Sequence, residues 1–377
     1  MTTLTIRGRQ VRPLVQGGMG VGVSAHRLAG AVAREGCVGT ISSVDLRRHH
    51  PDLMRETGRS RDKLAIERAN LTALDREIRA AREIAAGRGM IAVNVMRAVS
   101  QYADYVRQSC ASGADAIVVG AGLPFDLPEL VAGYPEVALI PILSEARAIG
   151  LVLKKWQRKG RLPDAIVIEH PRYAGGHLGA AKLEEVADAR FDFAAVLPAA
   201  QRLFEQMQIA PIPIIVAGGI NTPEKLRQAL ALGASGVQAG TPFAVTAECD
   251  AHPEFKRVLA EAKPADIVTF MSVAGLPARA VRTPWLDRYL EKEVVLKRRA
   301  KARRQCTLAF DCLEQCGLRD GNPRMGQFCI DHHLAAALRG DVEHGLFFRG
   351  SESVPFGTRI GAVRELTEHL LGAGAPG

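Results

Sequence analysis

From residue 14 to residue 241 the chain repeats one pattern: a short apolar run, a polar or glycine-rich turn, then apolar residues at helical spacing. The runs are Leu14–Gln16, Val38–Ile41, Met90–Val95, Ala116–Val119, Val137–Ile142, Asp164–Ile168, Pro213–Val216 and Gly236–Gln238. Brief apolar runs rich in β-branched residues predict strands covered on both faces, as in a parallel sheet. Helices are predicted over Ala25–Arg34, Lys63–Ala86 and Glu224–Leu232. Leu64, Leu71, Leu74 and Ile78 mark the apolar positions of the second, and Asn221-Thr222-Pro223 supplies a cap and a first-turn proline for the third. Strict strand–helix alternation predicts an α/β fold. Eight units predict a closed (β/α)8 TIM barrel. The alternative, an open doubly wound sheet, usually carries one glycine-rich fingerprint after its first strand, whereas here such turns follow several strands.

Beyond residue 285 the alternation stops. The expected organisation is a catalytic barrel over 1–285 and a helical, cysteine-containing extension over 286–377, packed on the barrel or lidding its mouth. Helices are expected over Leu286–Arg304, Asp331–Arg339 and Arg359–Leu371, with a glycine-rich stretch over Gly345–Gly357.

A barrel brings the C-terminal ends of its strands to one rim, where active sites form. The residues that would meet there are Gln16, Gly17, Gly18, Met19, Ser42, Asn94, Gly122, Ser144, Glu169, His177, Gly218, Gly219, Gly240 and Thr241. The sixth run ends unusually, in Glu169-His170-Pro171-Arg172-Tyr173-Ala174-Gly175-Gly176-His177. A carboxylate, two glycines and a histidine allow close backbone approach and proton transfer near neutral pH. Taken alone the loop also reads as a tight turn with a surface histidine. Strands seven and eight end in Ala217-Gly218-Gly219-Ile220 and Ala239-Gly240-Thr241. In barrels those two loops commonly hold a phosphate, through exposed backbone N–H groups and a helix N-terminus.

Composition changes this picture only locally. The chain is 47% hydrophobic and 5% aromatic, enough for a large core of small aliphatic residues. No apolar run has the roughly 20 residues of a membrane span. Met1-Thr2-Thr3-Leu4-Thr5 lacks a basic region followed by an apolar stretch, so a cytoplasmic protein is expected. The net charge of +9 owes much to Lys297-Arg298-Arg299-Ala300-Lys301-Ala302-Arg303-Arg304. That run reads as a solvated helix face, since no aromatic residues interleave it and no nucleic-acid module surrounds it. Of seven cysteines, Cys37, Cys110 and Cys249 are scattered and read as core, and His49-His50 reads as surface. Cys306, Cys312, Cys316 and Cys329 are candidate ligands for zinc or an iron–sulfur cluster, with His332, His333 and His344 as substitutes. The paired Cys-x-x-Cys of a zinc site is missing, and reduced, buried thiols are the alternative.

Taken together, Gln16-Gly17-Gly18-Met19-Gly20, Asn94-Val95-Met96, Ala174-Gly175-Gly176-His177, Ala217-Gly218-Gly219-Ile220 and Gln238-Ala239-Gly240-Thr241 resemble the nitronate monooxygenase family, formerly 2-nitropropane dioxygenase. That family is related to flavin-dependent enoyl-acyl-carrier-protein reductases. The resemblance runs from about Pro13 to about Pro284 and implies an FMN-dependent barrel. It places Gly18 and Met19 near the flavin ring, Asn94 at its polar edge, and Glu169 at a flavin or ribityl contact. Gly218, Gly219, Gly240 and Thr241 would hold the phosphate, with Gly17, Gly176 and Ala217 completing the contacts. His177 would be the catalytic histidine, charged when it attracts a nitronate. Ser272 and Gly275 match a late segment near the flavin. His170 stands where glycine is usual in the family, and Arg172 and Tyr173 flank the Gly-Gly-His. All three are expected to set substrate choice.

The implied reaction is oxidation of alkyl nitronates or nitroalkanes by oxygen, in a small-molecule enzyme with a homodimer as its candidate assembly and no nucleic-acid or membrane partner. The alternatives are an NAD(P)H-dependent flavin reductase of enoyl thioesters or quinones, and a nucleic-acid or partner-binding protein using residues 297–304.

Overall fold

The computed structural model describes residues 3–303 and 305–372. The apolar runs form eight parallel strands: β1 (Leu14–Gln16), β2 (Val38–Ser42), β3 (Met90–Met96), β4 (Ala116–Gly120), β5 (Ala138–Leu143), β6 (Ile166–Glu169), β7 (Ile214–Ala217) and β8 (Gly236–Ala239). They pair in order and close into a TIM barrel, with β8 beside β1 and β6 beside β7. Side chains alternate across each strand. Val15, Val38, Met90, Ala92, Val118, Ile140, Val167 and Ile215 fill the barrel interior. Their neighbours, such as Ile117, Val119, Ile168 and Val216, join the separate core between the strands and the helices.

An antiparallel hairpin of Leu4–Ile6 and Arg9–Val11 adds Leu4, Ile6 and Val11 to the interior core. Its strands are too short to stand out in the sequence, and the turn at Arg7-Gly8 has φ of 45° and 77° without the usual asparagine or aspartate.

Helix positions follow the pattern closely, at His26–Arg34, Lys63–Ala85 and Pro223–Ala231. The buried face of the long helix differs from expectation. Leu64 is 62% exposed. Leu74 and Ile78 are buried as expected, joined by Ile66, Ala69, Ala73, Ala81 and Ala85. Alanines on that face allow close packing against the helix His26–Arg34. His49 and His50 are half-buried rather than superficial. His49 Nε2 lies 2.8 Å from the Gly22 carbonyl, and His50 Nε2 lies 3.0 Å from the buried Glu77 carboxylate.

The helix expected over 286–304 spans Pro284–Arg298, with Thr283 as its cap. The end of the expected basic run, Arg304, lies outside the described residues. The tail does not form a core of its own. Leu313, Phe328, Ile330, Leu346 and Phe347 join the hydrophobic cluster of the barrel helices. Trp285, Tyr289, Phe328 and His333 stack together, with Trp285 and His333 centroids 4.0 Å apart. A three-stranded antiparallel sheet of Ile267–Met271, Pro277–Val281 and Gly176–His177 was not foreseen. Its central strand contains only alanines, arginine, valine and proline, and lacks a clean apolar alternation. Among the described residues no helix is long and apolar enough to cross a membrane.

Candidate active site

At the C-terminal ends of the strands lies a cavity of about 270 Å³. Gly17, Gly18, Met19, Ser42, Asn94, Glu169, Gly176, His177, Ala217, Gly218, Gly219, Gly240 and Thr241 all line it. Gln16, Gly122, Ser144, Ser272 and Gly275 do not. Gln16 is fully buried and clamps β2, accepting from the Thr40 N–H at 2.8 Å and donating to the Thr40 carbonyl at 3.1 Å. Gly275 packs on Met325 in the turn of the antiparallel sheet.

His177 owes its place to that sheet, where it pairs with Ala278. Its Nε2 lies 2.8 Å from Ser272 Oγ, and its ring meets Phe348 at 5.6 Å, edge-on. Ser272 Oγ also accepts from the Ala274 N–H at 3.3 Å. Ser272 therefore orients the histidine from behind. Burial lowers the His177 pKa to about 4, so the imidazole is neutral at pH 7. This corrects the expectation of a charged His177, because no carboxylate stands close enough to hold the proton. Burial acts oppositely on Glu169 and raises its carboxyl to about 7.

Gly18 is pressed against the wall opposite. A Cβ there would stand 2.4 Å from Asn94 Cβ, so only glycine lets the β1 loop lie flat beside β3. Gly218 and Gly219 have φ of 100° and 78°, and the β7 loop they form turns against the backbone of His170 and the Cβ of Tyr173. Beyond β8, Thr241 Oγ1 accepts from the Gly350 N–H at 3.0 Å.

The wall missed in the sequence is the tail segment from Leu346 to Ser353. Leu346, Phe348, Arg349, Gly350, Glu352 and Ser353 all line the cavity. Arg349 gives Nε to the Leu259 carbonyl and Nη1 to the Gly350 carbonyl, both at 2.9 Å, and burial lowers its pKa. An arginine and two aromatics in an otherwise glycine-rich stretch were the available signal.

Of the loop residues expected to tune substrate choice, only Tyr173 reaches the cavity. His170 is 2% exposed, with Nε2 2.9 Å from Asp192. Arg172 donates outward to the Ala187 carbonyl at 2.6 Å.

Cys37, Cys110 and Cys249 are buried, as expected. The four tail thiols approach one another closely enough for their charges to interact. Yet among the described residues no three His, Cys, Asp or Glu side chains are arranged to hold a metal ion. Cys316 and Cys329 stand at the N-terminal ends of the helices Gly317–Asp320 and Ile330–Leu338. His333 Nδ1 faces the His344 carbonyl at 2.7 Å, and His344 Nδ1 faces Asp341 at 3.0 Å.

A mouth walled by backbone and apolar groups, with few titratable side chains, suits an organic cofactor better than a metal. With the closed barrel, a cavity at the C-terminal rim marks the chain as a TIM-barrel enzyme. The nitronate monooxygenase model matches residues 5–372, and the chain belongs to that family. It is 27% identical over 284 residues to a protein named probable nitronate monooxygenase of Bacillus subtilis, covering 73% of this chain and 78% of that one. A like-named protein of Staphylococcus saprophyticus is 30% identical over 126 residues, 33% of this chain and 34% of that one. Among solved structures, FabK from Thermotoga maritima superposes with a TM-score of 0.67 at 23% identity, covering 96% of this chain and 91% of that one. Nitroalkane oxidase from Streptomyces ansochromogenes gives 0.63 at 19%, covering 95% and 94%. At these identities the two structures speak for the fold.

Proposed function

We propose that this protein is an FMN-dependent monooxygenase of alkyl nitronates, with oxygen as second substrate. The observation that carries the reading is His177, neutral and oriented by Ser272, in the wall of the glycine-lined cavity. Several features fit FMN. The flat wall at Gly17 and Gly18 beside Asn94 suits a planar ring. Glu169, in its protonated form, offers a hydroxyl donor to a cofactor oxygen. Gly218, Gly219, Gly240 and Thr241 suit a phosphate. Bound there, FMN supplies the electron acceptance and oxygen chemistry that no side chain provides.

The protein's part is binding and proton transfer. In the tautomer that donates Nε2–H to Ser272 Oγ, His177 keeps its lone pair on Nδ1 for a substrate proton. A base this weak favours nitronates, which arrive deprotonated, over neutral nitroalkanes. Phe348 and Tyr173 restrict water at the same wall.

The test is stopped-flow reduction of the flavin-loaded protein without oxygen. Reduction by propionate 3-nitronate and not by NADH or NADPH is expected. Rapid reduction by NAD(P)H would overturn this reading in favour of an enoyl-thioester or quinone reductase. His177→Asn should keep FMN and slow nitroalkane turnover more than nitronate turnover.

A further inference from the structure

A second cavity, of about 260 Å³, lies beside another face of the helix Ile330–Leu338. Ile330, Asp331 and Leu334 of this helix line the flavin cavity. His332 and Ala335, with Arg339 just past the helix end, line the second one. Its other walls come from the segment after β2 and from the tail near Thr307.

Five arginines line it: Arg47, Arg48, Arg59, Arg61 and Arg339. Two are neutralised within the fold. Arg47 Nε lies 2.6 Å from Asp45, and Arg48 lies 2.5 Å from both Asp45 and Asp331. Among the described residues Arg61 donates only to the Thr307 carbonyl, at 3.1 Å. Among the described residues Arg59 and Arg339 have no carboxylate at ion-pair distance, and Asp341, whose charge Arg339 feels, is engaged by His344. His332 adds no negative charge, and burial with the Arg339 and Arg48 cations keeps it neutral. Three guanidinium groups are thus left unbalanced around one concavity.

Like charges gathered around a concavity repel, and they focus a positive field on whatever enters. The basic stretch at 297–303 is different. It lies on an exposed helix end and the coil after it, where Lys297 already pairs with Glu293 at 2.8 Å. The flavin phosphate site, by the β7 and β8 loops, shares no residue with this cavity.

We propose that this cavity is a second anion site, which takes a phosphate or pyrophosphate group. Arginine forks match phosphate oxygens, and Ser60 adds a hydroxyl to the same wall. Two sources supply that chemistry: the phosphates of a cosubstrate such as NADPH or coenzyme A, or a free phosphate anion. The proposal stands apart from the assignment of nitronate as substrate.

The test is calorimetric titration of the FMN-loaded protein with inorganic pyrophosphate at low salt. Wild type should bind, and binding should weaken as salt rises, because opposite charges are screened. Arg59→Ser/Arg339→Ser should bind about tenfold or more weakly with unchanged flavin content, the loss expected when two charged donors to phosphate are removed. Arg298→Ser/Arg299→Ser removes the same charge elsewhere and should bind as wild type. No binding by wild type, or equal losses in the two double variants, overturns the site. Parallel titrations with NADP⁺ against NAD⁺, and coenzyme A against its dephospho form, assign the source. Preference for the phosphorylated member identifies a cosubstrate, and pyrophosphate binding without such preference identifies a free anion.

Discussion

His177 and Glu169 face one cavity and are driven in opposite directions by the same burial, so their effects on stability should oppose each other. In flavin-free protein His177 stays neutral down to about pH 4, whereas an unfolded histidine takes up its proton near 6.5. Between those values the unfolded state binds more protons, and acidification costs stability. At 1.36 kcal/mol per pH unit the loss is at most about 3 kcal/mol. Glu169 has the reverse sign. Folded, it is protonated below about 7, while unfolded it stays ionised to about 4.5. Acidification through that window adds at most about 3 kcal/mol. From about pH 6.5 to 4.5 the two nearly cancel. Glu169→Gln should therefore expose the histidine, and stability should fall as pH drops from 6.5 to 4. His177→Asn should expose the carboxyl, and stability should rise as pH drops from 7 to 4.5. Urea midpoints measured across this range on flavin-free protein read both slopes directly. Other buried acids, such as Asp331, form a background shared by all three proteins. Parallel pH profiles for wild type and both variants would refute the reasoning.

Other outcomes follow from single contacts. Gly18→Ala forces a Cβ to 2.4 Å from Asn94 Cβ, an overpacking cost of about 1–3 kcal/mol, and should lower FMN affinity in a fluorescence titration. Unchanged affinity would separate that wall from the flavin. Phe348→Ala removes the ring packed edge-on at 5.6 Å from His177 and admits water, so the His177 pKa should rise toward its ordinary value. The pH–rate profile would follow it upward. Glu77→Gln should destabilise the protein by about 3 kcal/mol or more in urea titrations, because a buried carboxylate bonded to His26 and His50 loses its charge. There burial pushes the carboxyl up, but the two histidines outweigh it and hold it at about 2.

The barrel was legible because its signal is repeated. Each strand was short and ambiguous alone, but eight similar units in order admitted few folds, and the observed bounds fall within a residue or two of those read from the pattern. The rim was legible for the same reason, since strand ends such as Asn94, Glu169, Ala217 and Thr241 share a rim once the barrel closes. What could not be read was contact at long sequence separation. Ser272 bonds His177 from 95 residues away. Arg349 enters the wall through a segment whose sequence shows no strand or helix period. Residue charge was misleading in the same way. His177 looked like a cation near neutral pH because only the folded environment reveals that nothing compensates its burial. The tail cysteines stayed open between ligands and buried thiols, because spacing along a chain says little about how the sulfurs face one another.

The segment Leu346–Ser353 also sets an order of events in the cell. Barrel strand β8 ends at Ala239, so the strands and their rim can assemble while the chain is still being made. The wall that carries Phe348 and Arg349 leaves the ribosome much later. A nascent barrel thus presents an open shelf, and a cofactor that lands early has little to retain it. If FMN binds as proposed, durable capture waits for the tail to cross over, and cofactor content would then read out completed synthesis. Ribosome-stalled chains ending before residue 346 should release the cofactor readily, and chains extended past residue 353 should keep it.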